Sequence, residues 1–285
     1  MVRHDDRSAF KRAYRLTSSR MRLVPDFMII GAQKAGTTSL YNYLSAHPSI
    51  APIYIKEPHF FDLYFNKGFL WYRSHFPTIA QKYYVNHFQK RAFITGEASP
   101  YYLPHPLAPA RVAMTLPKVK LILVLRNPID RAYSQYQHQV RQPGVEPLSF
   151  EEALDLEEER LAGEEQKMLE NKNYISFNHR HYSYLTRGRY IDQILIWMKF
   201  FPKDQFLILR SEDLYSNPAA VLEGTFAFLH VPHVALKEQR EGYRQYNKAS
   251  YDKMNPATRQ HLIEYFKPHN ARLYEFLGRD FGWDK

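Results

Sequence analysis

The chain has 285 residues, 45% hydrophobic and 15% aromatic, which suits one large globular domain and excludes a disordered chain. A formal charge of +10 points to a polyanionic ligand, nucleic acid or an acidic surface without choosing among them. The absence of cysteine excludes disulfides and thiolate metal sites, and no stretch approaches the roughly 20 apolar residues of a bilayer-spanning helix.

In chain order, residues 1–24 are basic and lack the apolar stretch of a signal peptide, so they are expected to form a solvated arm before a domain over 25–285. The apolar run "DFMII" (26–30) fits a buried strand that Gly31 closes. "TTSLYNYLSAH" then starts with helix-capping hydroxyls and continues at helical spacing. Residues 49–55, "AFITGEAS" (92–99), "KLILVLR" (120–126) and "QFLILR" (205–210) read as further strands. Helical patterns cover 128–140, 149–170, 190–201 and 218–229, and the acidic run 149–170 is expected to be a solvated helix face. Strands alternating with helices predict a single α/β domain, P-loop-like, with a central parallel sheet and helices on both faces.

Three constellations carry chemistry. In "GAQKAGTTS" (31–39), Gly31 and Gly36 keep the glycine spacing of a phosphate-binding loop, but Thr37 and Thr38 stand where its Lys-Ser/Thr pair belongs. The only lysine, Lys34, comes two residues before Gly36. Backbone N–H groups from Ala35 onward at a helix start, with the hydroxyls of Thr37, Thr38 and Ser39 and the charge of Lys34, make an anion site. The plainer reading is a glycine turn capped by threonines.

In "LRNPIDRAYSQY" (125–136), Arg126 ends a strand where a parallel sheet opens its ligand crevice. Ser134 falls on the same side as Arg131, near enough to share an anion with Arg126, whose planar fork suits a phosphate. The plainer reading pairs Arg126 with Asp130. In "KEPHFFD" (56–62), Glu57, His59 and Asp62 offer a carboxylate or imidazole to take a proton from an acceptor.

"GAQKAGTTSLYNYLSAHPSI", "KEPHFFD", "GEASPYY" and "LILVLRNPIDRAYSQY", in that order, resemble the sulfotransferases that use 3′-phosphoadenosine 5′-phosphosulfate (PAPS). The group nearest in pattern is the heparan sulfate N- and 3-O-sulfotransferases with their bacterial relatives. "LIEYFKPHNARLYEFLGRDFGW" (262–283) is similar to that group's closing helix and terminal tryptophan. The resemblance implies that Lys34 serves the 5′-phosphosulfate, that the loop glycine and threonines bind the 5′-phosphate, and that Arg126 and Ser134 hold the 3′-phosphate. It makes Glu57 the general base and puts His59 and Asp62 on the acceptor side. It also implies a metal-free reaction whose product is 3′-phosphoadenosine 5′-phosphate (PAP), with an acidic or neutral saccharide as acceptor and neither nucleic acid nor membrane as partner. A soluble chain is expected, cytoplasmic if bacterial, or in the Golgi lumen as part of a longer anchored parent.

The sequence departs from the group at two motifs, and it also lacks the cysteines that bracket the second of them in animal members. Glu97-Ala98-Ser99-Pro100 lacks the lysine of the usual Glu-Lys-Thr/Ser-Pro. The usual Lys-Gly-Arg donor loop reads "YNKASYDKMNP" (246–256), where Lys248, Ser250 and Tyr251 are the substitutes. The competing readings are a P-loop kinase or NTPase, which needs a lysine after Gly36 and an acidic magnesium ligand, and a non-catalytic polyanion-binding module.

Overall fold

A computed structural model describes residues 9–234, 243–244, 246 and 251–284. Its centre is a parallel sheet of five strands: β1 (Phe27–Gly31), β2 (Ile50–Ala51), β3 (Ile94–Ala98), β4 (Lys120–Leu125) and β5 (Phe206–Arg210), in the order β2-β3-β1-β4-β5. Parallel strands covered on both faces must be apolar throughout rather than alternating. β1 obeys this, with every residue buried, and β4 is buried from Leu121 to Leu125. Helices pack around the sheet, among them Thr37–Ser45, Pro128–Val140, Tyr190–Met198, Pro218–Leu229 and Pro256–Leu277. Leu40, Leu44, Ile194, Trp197, Leu222 and Leu273 from these helices join the strands in one core.

Register decides where the chemistry collects. Met28 pairs with Glu97, Gly31 with Leu123, and Leu125 with Arg210. The carboxyl ends of β1, β3, β4 and β5 therefore come level, and the glycine loop, Ser99 and Arg126 open onto one edge of the sheet. Asn127 caps the helix Pro128–Val140 by accepting from the Ile129 N–H at 3.0 Å, with Pro128 at the first helical position.

Two expectations need correction, on the second strand and on the acidic run. The strand expected over 49–55 is only Ile50–Ala51, because Pro52 has no N–H to continue the ladder. Of the expected basic arm, the described residues form a helix, Ala9–Thr17, exposed except at Arg15, and a short turn, Ser19–Met21, with Arg22 buried behind it. Arg22, 1% exposed, donates to the Phe76 carbonyl at 2.8 Å, and Arg73 donates back to the Arg22 carbonyl. The acidic run is three helices, Phe150–Asp155, Glu157–Leu161 and Glu164–Glu170, the last entered through Gly163 in the left-handed region. Only part of it faces solvent. Glu157 is buried and accepts from the N–H groups of Tyr184, Leu185 and Thr186, which fixes the segment leading to Arg187.

Candidate active site

The loop from β1 turns into the helix Thr37–Ser45 through Gly36, whose φ of 98° is left-handed. A Cβ there would lie 2.6 Å from the Tyr215 hydroxyl, so glycine is needed for both conformation and space. Lys34, two residues earlier, also has positive φ, at 69°. A non-glycine residue in that region stores strain, which the surrounding loop holds in place. Lys34 thereby lines a cavity of ≈ 730 Å³ together with Thr37, Thr38, Glu57, Arg126 and Ser134.

This cavity brings together most of the residues expected from sequence. Gly36 and Tyr251 also line it. Ala35 and Ser39 lie beneath it, each with no exposed surface, and Ser39 accepts from the Tyr246 N–H at 3.1 Å. Ser39 thus anchors the segment that brings Tyr246 to the cavity wall. Lys248 and Ser250 lie outside the described residues.

Along the helix Pro128–Val140, Asp130, Ser134 and His138 face the cavity at four-residue spacing. Arg131, expected beside Ser134, turns inward, where it is fully buried and donates to Gln135 and to the Tyr184 carbonyl. Arg126 donates to the Lys34 carbonyl at 3.1 Å, while Asp130 pairs with Arg259 at 2.8 Å. The plainer pairing of Arg126 with Asp130 is not what forms. Burial lowers the Lys34 pKa, and the charges of Arg126 and Arg141 lower it further. Such repulsion among cations is what a bound anion would relieve.

Glu57 lines the same cavity, whereas His59, two residues on, is not among its lining residues; both adopt positive φ, 55° and 49°. The turn through Pro58 places His59 Nε2 3.7 Å from Glu57 Oε2 and Nδ1 2.7 Å from Asp62 Oδ2. Burial would raise the Glu57 pKa, but the neighbouring His59 and the Lys56 charge outweigh it and hold the carboxyl below its usual range. Burial would lower that of His59, yet Asp62 and Glu57 raise it to about 10. At neutral pH Glu57 is a carboxylate, and His59 is an imidazolium with both nitrogens facing carboxylates. Glu57 can accept a proton; His59 cannot.

Asp62, expected to touch the acceptor, has a side chain with no exposed surface. One of its oxygens faces His59 and the other accepts from the Leu63 N–H at 2.7 Å. It thereby orients the His59 ring.

Sequence reasoning missed the support behind this segment. Glu97, at the end of β3, has no exposed surface and accepts from Tyr72 (2.7 Å), Tyr102 (3.1 Å) and Ser99 (2.6 Å). Burial raises its pKa to about 7 against those hydrogen bonds. The Tyr102 hydroxyl in turn accepts from the Phe60 N–H at 3.0 Å, fixing the residues just after His59. Lys56, Tyr215 and Tyr246 were also missed as cavity-lining groups. The adjacency of Lys56 to Glu57 was the one available signal. Among the described residues, no group of three or more His, Asp or Glu is placed to hold a metal ion, and no helix is long and apolar enough to cross a membrane.

A sequence model of the sulfotransferase domain family matches residues 24–281. The chain belongs to the sulfotransferase family. It is 30% identical to the membrane-associated sulfotransferase kil1 of Dictyostelium discoideum, over 91% of this chain and 66% of that protein. With heparan sulfate glucosamine 3-O-sulfotransferase 3B1 of Mus musculus it shares 28% identity, over 92% of this chain and 65% of the relative. The chain thus spans just under two thirds of the length of these relatives. The crystal structure of a sulfotransferase from Alicyclobacillus acidocaldarius matches with a TM-score of 0.66 at 31% identity, covering 92% of this chain and all of that one. The mouse sulfotransferase SULT7A1, complexed with PAP, shares the fold with a TM-score of 0.50 at 14% identity.

Proposed function

We propose that the chain transfers the sulfuryl group of PAPS to a hydroxyl or amine of a saccharide of the heparan sulfate class. The observation that carries this reading is one cavity lined both by the loop residues Lys34, Gly36, Thr37 and Thr38 and by the carboxyl group of Glu57. Lys34 and the start of the helix Thr37–Ser45 fit a 5′-phosphosulfate, while Arg126 and Ser134 offer a second anion site for a 3′-phosphate. In the reaction the acceptor oxygen or nitrogen attacks sulfur and its proton passes to Glu57. The bond from sulfur to the bridging oxygen breaks, and its electron pair stays on the 5′-phosphate. Lys34 meets that growing charge, a contribution typically worth about 3–4 kcal/mol in a water-poor site.

The saccharide acceptor is supported by the named activity of the 3-O-sulfotransferase relative and by the +10 charge of the chain, which suits an acidic polymer. A kinase reading finds no lysine after Gly36, where the nucleotide β- and γ-phosphates would need one.

Calorimetry tests the donor. The wild type should bind PAP much more tightly than adenosine 5′-monophosphate, which lacks the 3′-phosphate. Arg126→Ala should lose about 2–4 kcal/mol toward PAP and bind the two nucleotides alike. A wild type that ignores the 3′-phosphate, or prefers ATP with magnesium, rejects the reading.

A further inference from the structure

Lys56 stands where the two halves of the cavity meet. Its Nζ donates to Thr38 Oγ1 at 2.8 Å, and Thr38 lies in the first turn of the helix that opens the anion cradle. The same Nζ is 3.3 Å from Glu57 Oε1. Both contacts arise from residues that line the cavity, and the left-handed turn at Glu57 lets two consecutive side chains face it together. An ammonium has three N–H donors in tetrahedral array, so engaging Thr38 and Glu57 leaves it a third direction.

The transferred group must cross this junction. Its sulfur is bonded on one side to a phosphate held by the loop and is attacked from the other by the atom Glu57 deprotonates. The sulfuryl oxygens, which carry charge throughout the transfer, therefore pass between Thr38 and Glu57, beside Lys56. We propose that Lys56 is a second catalytic cation, which binds a sulfuryl oxygen during transfer while remaining the counter-ion of Glu57. This inference rests on the PAPS reading. It divides the charge between two lysines: Lys34 meets the electron pair left on the phosphate, and Lys56 meets the oxygens of the group in flight. Atoms balance as before, since Lys56 neither gains nor loses a proton.

Lys56→Met and Lys56→Arg test the assignment, with turnover from PAPS and affinity for PAP measured on the same preparations. PAP has no sulfuryl group, so Lys56→Met should bind it within about threefold of wild type and thereby prove itself folded. Its kcat should fall by about 10²–10³-fold, the usual effect of removing one such electrostatic contact. The acid limb of its kcat/KM profile should move to higher pH, because Glu57 loses a cation that favours its ionised form. Lys56→Arg should recover most of the rate and restore the limb. Near-wild-type turnover in Lys56→Met overturns the proposal, as does a loss of rate matched by an equal loss of PAP affinity, which would make Lys56 a support for the Thr38 loop. Failure of the wild type itself to bind PAP overturns the donor reading and this inference with it.

Discussion

Glu57 and His59 are two residues apart in one strained turn, and their surroundings divide the labour between them. Asp62 and Glu57 hold the proton on His59, and His59 and Lys56 hold it off Glu57. Glu57→Gln keeps the shape of the turn and removes the proton acceptor. Turnover at saturating donor and acceptor should fall by ~10²–10⁴-fold with PAP affinity nearly unchanged. His59→Gln should lower turnover less, and a collapse there beside an active Glu57→Gln would give the base role to the ring.

The raised pKa of His59 also has a sign that stability measurements can read. A group that binds its proton more tightly when folded adds stability that is complete below its unfolded pKa, near 6.5. That contribution fades as pH rises toward about 10, the folded value. In urea titrations, wild type should therefore exceed His59→Gln in stability by most at pH 6 and by least above pH 10. A gap that widens with pH would show that the ring is neutral in the fold.

At the scale of the elements, the turn from β1 into the helix Thr37–Ser45 is the feature on which the proposed donor binding depends. Gly36→Ala puts a side chain into left-handed backbone and against Tyr215. It should cost about 1–3 kcal/mol of stability and weaken PAP binding, both measurable by a thermal shift with and without PAP. Unaltered PAP affinity in a folded Gly36→Ala protein would mean that the turn does not shape the anion site.

This loop was legible because its glycines and hydroxyls are contiguous, and β1 and β4 were legible because burial on both faces leaves an unbroken apolar run. The support behind the site was not. Tyr72 reaches Glu97 from 25 residues away in sequence, and nothing local marks a buried glutamate at a strand end. The inward turn of Arg131 was hidden for the same reason: its partner, the Tyr184 carbonyl, is 53 residues distant. The burial of Asp62 against His59 was hidden too, because sequence shows residue type and spacing, whereas burial comes only with the packed fold.

For the whole molecule, the parallel sheet gathers four strand ends at one edge, and the basic chain adds a field that attracts an acidic partner. In the proposed reaction the donor cradle draws on the loop after β1 and the segment after β4, while the proton acceptor Glu57 and the cation Lys56 are neighbours in a third segment that lines the same cavity. The most direct test of that arrangement is transfer of labelled sulfuryl from PAPS to desulfated heparan sulfate, followed by separation of polymer from nucleotide. Label should appear in the polymer with wild type and drop at least about a hundredfold with Glu57→Gln. Equal labelling by both proteins, or none by a wild type that binds PAP, would contradict the account.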